Sequence, residues 1–490
     1  MNILILSNGA PKYYNFFNEL AKRLSEEGHK IVFAVDCKYS LVENCIAQTG
    51  FPYYVFSEAF RERNCDVRVL RKFSDFNLNF ALLSDFERSQ VYKLGGRKSN
   101  EYFDDLKCAL LEFFSRIVEE ENIDLVFYEN ISNTFAYFCW FVCAKYNVRY
   151  KGFTPSRLPG RFWFTENPFD EHKKVDATFD KINKGEVEAP DWLRKWAGDY
   201  ILGIDEVVPD YMRFNNLNNI SIAKKYLNSE KFRKLIFSIK SLAVDGQGSF
   251  QRVSPLAMSY KMFLRSCKRK VRANRLSRFY ELPVPGENYF LYPLHYHPES
   301  STSILSGSYL DEYEVIRNIA FNLPEGTRLY VKDHSSAYGL PSLSFYEKLC
   351  RLPNVRLLSH KENTKKLIRG SLAVTTLTST VGYESLLMNK KVLLFGSVFY
   401  QGHKNVVKVY DLEGLNSKLN ELCSENGSED SDDIFEYNVK FICAYYINTL
   451  KGTLNLMQDI DGARRLLDEV YPEVKRELSF SPSNVAGLSG

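Results

Sequence analysis

The sequence predicts an α/β protein with two parallel-sheet halves, and three observations carry that prediction. Short apolar, β-branched runs alternate with helix-length amphipathic stretches over residues 3–154. The same alternation returns over 288–396, after a polar, helix-rich region from about 164 to 282. Strands that alternate with helices of this length make a parallel sheet covered on both faces. The length of 490 residues suits two or three domains with sizeable cores.

In the first half, strands are expected at 3–7, 30–36, 51–56, 123–129 and 148–154. Helices fall at 13–27, 39–49, 101–121 and 133–146, the first stopping at Gly28. The middle region reads as a helical insertion, with Trp192 and Trp196 in one helix and eight Lys/Arg without an acid in 261–278. In the second half, strands at 288–295, 328–334 and 355–359 alternate with helices at 311–322, 342–351 and 363–369. Another strand then runs into "TTLTSTVGYESLLMNKKVLLFG". The boundaries expected are 1–163, 164–287, 288–410, 411–477 for closing helices, and a disordered tail at 478–490.

Composition excludes several classes. Apolar residues make up 45% and charged residues 25%, an ordinary globular balance, and the net charge of +4 announces no nucleic-acid partner. The ten cysteines form no CxxC pair, and Cys139 and Cys143, one helical turn apart in an apolar run, read as core. This cysteine usage fits a reduced, intracellular protein. The start "MNILILSNGA" lacks a basic signal region, and the longest apolar stretch, 134–144, is too short to span a bilayer. The expectation is a cytoplasmic protein, at most peripheral at the inner face of the membrane.

Ligands of parallel sheets bind beyond the carboxyl ends of the strands, so the chemistry is expected at those ends. At 378–384, Ser379, Thr380 and Gly382 make a turn into a helix whose free N–H groups favour an anion, and Glu384 can accept ribose hydroxyls. The same residues would equally serve as an ordinary N-cap with a capping-box glutamate. "YVKDHSS" ends a strand with Lys332 and His334, a cation and an imidazole suited to phosphate. In "YPLHYHPESST", His295 and His297 point to one side of an extended segment, with Glu299 at the tip and Ser301 behind it. His295, His297 and Glu299 have zinc-compatible chemistry, but no remote fourth ligand is evident, so no metal or other cofactor is expected. Glu129 ends a strand of the first half and, with Glu299, offers one carboxylate per half, as acid/base and nucleophile in glycosyl transfer. Alone, Glu129 would also serve as a helix-capping acid. Arg157 and Arg161 stand in a Pro/Gly loop, either to grip an anion or as plain surface charges.

The motifs "YFLYPLHYHPESST", "YVKDHSS" and "TSTVGYESLLMNKKVLLFG", in that order, resemble the bacterial capsule polysaccharide synthesis family. That family includes transferases using the CMP-activated sugar acid Kdo, on a GT-B fold of two Rossmann-like domains facing a cleft. The resemblance covers about half the chain. It implies a glycosyltransferase of surface polysaccharide (capsule or lipopolysaccharide) assembly, with a nucleotide-sugar donor, CMP-Kdo first, and a saccharide or glycolipid acceptor. It places Glu299 where retaining Kdo transferases of this type carry their nucleophile, although the family pattern has aspartate preceded by glutamine there. His334 matches the family's second-strand histidine, with Ser335 in place of the usual proline. Ser379, Thr380 and Glu384 match its nucleotide turn, and Glu129 matches the acid of the first half in position. Two alternatives stay open: a UDP- or GDP-sugar transferase or 2-epimerase on the same fold, and a non-catalytic scaffold that binds polysaccharide or an anionic membrane through 261–278.

Overall fold

The computed structural model describes residues 1–61, 66–92, 98–208, 210, 236, 239, 250, 255–297, 299–424 and 431–479. Most of the insertion between 209 and 254, Pro298, and the tail from 480 onward lie outside the described residues. The strands among them are β1 (Asn2–Ser7), β2 (Lys30–Val35), β3 (Tyr53–Val55), β4 (Leu125–Glu129), β5 (Arg149–Pro155) and β6 (Arg161–Thr165). The second half carries β7 (Tyr289–Pro293), β8 (Arg328–Lys332), β9 (Val355–Leu358), β10 (Ala373–Thr376), β11 (Lys391–Leu394) and β12 (Val406–Lys408), and β13 (Leu450–Lys451) follows. They build two sheets, in the orders β13-β6-β5-β4-β1-β2-β3 and β12-β11-β10-β7-β8-β9. The second sheet is parallel throughout, and the first is parallel except at β6 and β13. This is the α/β layout of two Rossmann-like halves expected of a GT-B fold.

The reason lies in the apolar runs. Ile3–Leu6, Leu125–Tyr128 and Phe290–Tyr292 are buried along their whole length, as strands covered on both faces must be. The helices Tyr13–Glu26 and Thr134–Tyr146 supply Phe16, Phe17, Phe135 and Phe138 to the first core. Cys139 and Cys143 are buried in that core.

One strand lies where the sequence pointed to the start of the helical region. β6 spans residues 161–165 and folds back antiparallel on β5. Its alternation decides this: Phe162 and Phe164 pack on Phe153, while Trp163 turns to Phe399 and Tyr445 of the second half. The last helix, Ile460–Ser479, returns to the first half. Its Leu466, Val470 and Val474 enter the same core as Phe16, and Arg464 and Asp468 pair with Glu19 and Arg23. Chain ends that cross back in this way tie the halves together around the space between their sheets.

Candidate functional site

Three sequence motifs that are far apart in the chain become neighbours, because β10, β7 and β8 are adjacent and parallel. Pro293 pairs with Lys332, and Val374 pairs with Leu291. Continuing both registers sets Thr378, His295 and His334 in one row just past the strand ends. The row is bonded across: the Thr378 N–H donates to His295 Nε2 at 3.4 Å, and His295 Nε2 meets Thr376 Oγ1 at 3.1 Å. His295 Nδ1 meets Glu312 Oε1 at 2.7 Å, so this geometry assigns the imidazole proton to Nδ1. His295 is therefore a buried brace beneath the turn at Thr378–Thr380.

His297 points to the same side, as the alternation predicts, and both histidines share Glu312. Its ring nitrogens lie 3.4 Å from Glu312 and 3.3 Å from Glu87, on the helix Leu83–Tyr92 of the first half. Burial alone would lower its pKa, but the two carboxylates overcome that and raise it to about 10. Burial would raise the Glu312 carboxyl, yet its bonds to His295 and His297 hold it well below the usual range. Glu87 also accepts a 2.6 Å hydrogen bond from the Ser303 hydroxyl, so this cluster joins the two halves. Among the described residues, no group of His, Cys, Asp or Glu is arranged to hold a metal.

His334 behaves in the opposite way. Burial, with His295 and Lys332 nearby, lowers its pKa to about 4. Its Nδ1 accepts from the Ser336 N–H at 3.0 Å, which assigns the proton to Nε2. At neutral pH it is an uncharged donor rather than the cation that a phosphate partner suggests. Lys332 is buried, and its ammonium bonds the carbonyls of Asp333 and His360 at 3.2 and 3.3 Å. Glu299 is exposed at the N-cap of the helix Ser300–Leu305, where its backbone carbonyl accepts from Thr302 and Ser303. Ser301 belongs to that helix, but its side chain lies outside the described residues.

The turn at 378–384 is an N-cap in fact: Ser379 Oγ accepts from the Val381 N–H at 3.1 Å, at the head of the helix Thr380–Leu387. The hydroxyl proton of Ser379 remains a donor. Gly382 has a different reason from ligand approach. A Cβ there would lie 2.5 Å from the Tyr400 hydroxyl, which donates to the Ser379 carbonyl at 2.7 Å. Glu384 is buried against Lys365 at 2.8 Å, and burial raises its pKa. It braces this helix rather than lining the cavity between the sheets.

That cavity, partly open to solvent, lies between the strand ends of both halves. Asn130, Thr154 and Arg157 line it from the first half, Thr378, Thr380 and Tyr400 from the second. The Arg157 N–H donates to the Tyr445 hydroxyl at 2.9 Å. Arg161 has a packing task instead: its guanidinium bonds Thr449 and the Tyr446 carbonyl and stacks 3.6 Å over the Tyr446 ring. Glu129 is half-buried at the end of β4, accepts from Ser132 Oγ at 3.0 Å, and is raised by burial to about 7.

Sequence reasoning missed Glu171, Glu312 and Glu87. Glu171 lines the same cavity, accepts from Thr165 Oγ1 at 3.1 Å, and is raised by burial to about 7. Glu171 and Glu312 each open a helix, where an acid reads as a capping residue, and Glu87 sits mid-helix in a charged stretch, where it reads as solvated. No local signal marks them as facing inward.

Residues 249–404 match the family model described as capsule polysaccharide biosynthesis protein, which bears out the sequence resemblance over that stretch. Among curated proteins, nothing matches the chain. Solved structures similar to this chain include two Thermosulfurimonas dismutans KpsC structures. The beta Kdo 2,7 transferase is 11% identical, covers 67% of this chain and 79% of its own, and has a TM-score of 0.30. The beta Kdo 2,4 transferase is 14% identical, with coverages of 66% and 80% and a TM-score of 0.33. A putative UDP-N-acetylglucosamine 2-epimerase from Listeria monocytogenes is 10% identical over 97% of both chains, with a TM-score of 0.24. Overlaps this loose carry no functional argument.

Proposed function

From the capsule polysaccharide signature of residues 249–404, we propose a glycosyltransferase that moves a sugar from a nucleotide donor to a saccharide or glycolipid acceptor. CMP-Kdo is the first donor to test, on the strength of the motifs in that segment. The observation that carries the reading is the single row of Thr378, His295 and His334 over three adjacent strand ends, with Thr378 lining the cavity that Asn130 and Arg157 line from the first half. Parallel sheets take their ligands at such ends.

In this reading the N–H groups and hydroxyls at Ser379 and Thr380 take the donor phosphate at the head of the helix, with the Nε2–H of His334 and the cation of Arg157 as further donors. His295, Lys332 and Glu384 hold those groups in place. Glu299 attacks or stabilises the anomeric carbon, and Glu129 takes the acceptor hydroxyl proton, its raised pKa fitting a base that works near neutral pH. Two carboxylates used in succession retain configuration. The protein acts in the cytoplasm, against the inner face of the membrane.

A thermal-shift panel with CMP, UDP, GDP and ADP tests the reading, since a ligand bound only by the native state raises Tm. Selective stabilisation by CMP, weakened in Thr380→Val and His334→Gln, is the expected result. A UDP or GDP preference moves the assignment to another sugar-nucleotide enzyme. A flat response to all four reduces the turn to a helix cap and overturns the proposal.

A further inference from the structure

Most of the basic stretch singled out in the sequence lies on one helix, Pro255–Ala273, whose two faces have opposite characters. Its arginines turn inward. Arg269 Nε and Nη2 donate to the carbonyls of Tyr338 and Ser336, both at 3.0 Å. Arg272 Nη1 donates to Leu340 and Pro341 at 2.7 and 3.1 Å, and Arg265 reaches the His297 carbonyl at 3.5 Å. Gly339, with φ +76°, lets the chain pass so close that a Cβ there would lie 2.8 Å from the Arg269 carbonyl. These contacts fix the loop that follows His334.

The outer face is apolar. Tyr260, Leu264, Cys267 and Val271 recur at helical spacing and make one stripe. Tyr260 is 64% exposed and Val271 52%, with Leu264 and Cys267 partly exposed between them. Lys268 and Lys270 are exposed and flank this stripe, roughly 80° to either side at 3.6 residues per turn. Arg275 is exposed just beyond the helix end, and no acidic residue occurs between 255 and 280. A surface helix of a globular protein ordinarily buries its apolar stripe and exposes its charges. Here Arg269 is buried, Arg265 and Arg272 are partly buried, and Tyr260 and Val271 face solvent.

We infer that this helix lies flat on an anionic lipid surface, with the Tyr260–Leu264–Cys267–Val271 stripe in the interfacial layer and Lys268, Lys270 and Arg275 against headgroup phosphates. A central apolar stripe with cations along both edges is the arrangement that such a surface takes up. Charge complementarity favours lipid over a second copy, because pairing through the same face would bring like cations together. The buried arginines then set the His334 loop about one helix diameter, ~10 Å, from the membrane. The inference does not depend on which nucleotide the cleft takes.

The test is flotation of the full-length protein with vesicles of phosphatidylcholine alone and of phosphatidylcholine mixed with phosphatidylglycerol. Binding to the anionic vesicles only, weakened by salt, is expected. The double variant Lys268→Glu/Lys270→Glu should lose affinity by about tenfold or more, from two reversed charges at the surface. Tyr260→Ser/Val271→Ser should lose it too while keeping the wild-type Tm, since both side chains are exposed. Lys181→Glu/Lys195→Glu, the same charge change on exposed residues elsewhere, should bind as wild type. Three results would overturn the inference. Wild type could ignore anionic vesicles, the remote pair could lose as much binding as the helix pair, or sedimentation could show a dimer abolished by Tyr260→Ser/Val271→Ser. Nucleotide thermal shifts on the same variants read the donor site separately.

Discussion

The two halves end their strands in the same way, yet the groups near those ends carry different chemistry. On the second half, His297 is raised to about 10 by Glu312 and Glu87, and His334 is lowered to about 4 by burial, His295 and Lys332. Neither changes charge near neutral pH. Glu129, at a strand end of the first half, and Glu171, at the start of the helix Glu171–Asn183, are both raised by burial to about 7. The two histidines therefore hold fixed charge states, which suit binding, while the two carboxyls exchange protons near neutral pH, which suits acid/base work. Surroundings decide the difference, not residue type: two histidines at adjacent strand ends are driven in opposite directions, one by carboxylates and the other mainly by burial.

The largest test of that contrast is loss of the carboxylates. Glu129→Gln and Glu299→Gln should each lower transfer by about 10²- to 10⁴-fold, the usual worth of a positioned acid/base or reacting carboxylate. Nucleotide thermal shifts should stay unchanged. Full turnover in Glu299→Gln would remove its role. Next comes stability: His297→Ala leaves buried Glu312 with only His295 beside it and should cost about 3 kcal/mol at pH 7 in urea unfolding, the low end for a broken buried pair. The folded pKa lies above the unfolded value, so this stabilisation is fully present below about pH 6.5 and lost as pH rises through about 10. Wild type and variant should accordingly converge in urea melts at high pH.

A third prediction concerns pH and rate. If Glu129 is the base, kcat/KM should rise with pH through about 7, and that limb should vanish in Glu129→Gln. Survival of the limb there, with its loss in Glu171→Gln, would hand the proton-taking role to Glu171. The smallest effect is expected on the binding side. Tyr400→Phe removes the hydroxyl bonded to the Ser379 carbonyl and should weaken CMP binding by about fivefold, the scale of one hydrogen bond. An unchanged Kd would uncouple the turn's geometry from donor binding.

Much of the fold was legible because its signals are local. The buried runs at Ile3–Leu6 and Phe290–Tyr292, and the helix Asn100–Glu121 with its Ser99 cap, can be read within a few residues. β6 was harder, because five residues behind a Pro/Gly loop give a weak alternation that only packing on Phe153 makes plain. Of the site, strand-end position pointed to His295, His334 and the turn at Thr378–Thr380. It was silent on what each would meet. Arg161 and Arg157 look alike in sequence, yet one is bonded to Thr449 and the other lines the cavity.

By itself, then, the sequence determined the two alternating halves, the strand ends that carry chemistry, and the shared orientation of His295 and His297, because period and register are properties of neighbouring residues. The tertiary structure alone decided the charge of each group. It buried Glu312 between two histidines, withdrew Lys332 into backbone carbonyls, turned the arginines of the basic helix inward, and brought Glu171 into the cavity. Desolvation and Coulomb interaction depend on atoms brought together from distant parts of the chain, so no local pattern encodes them.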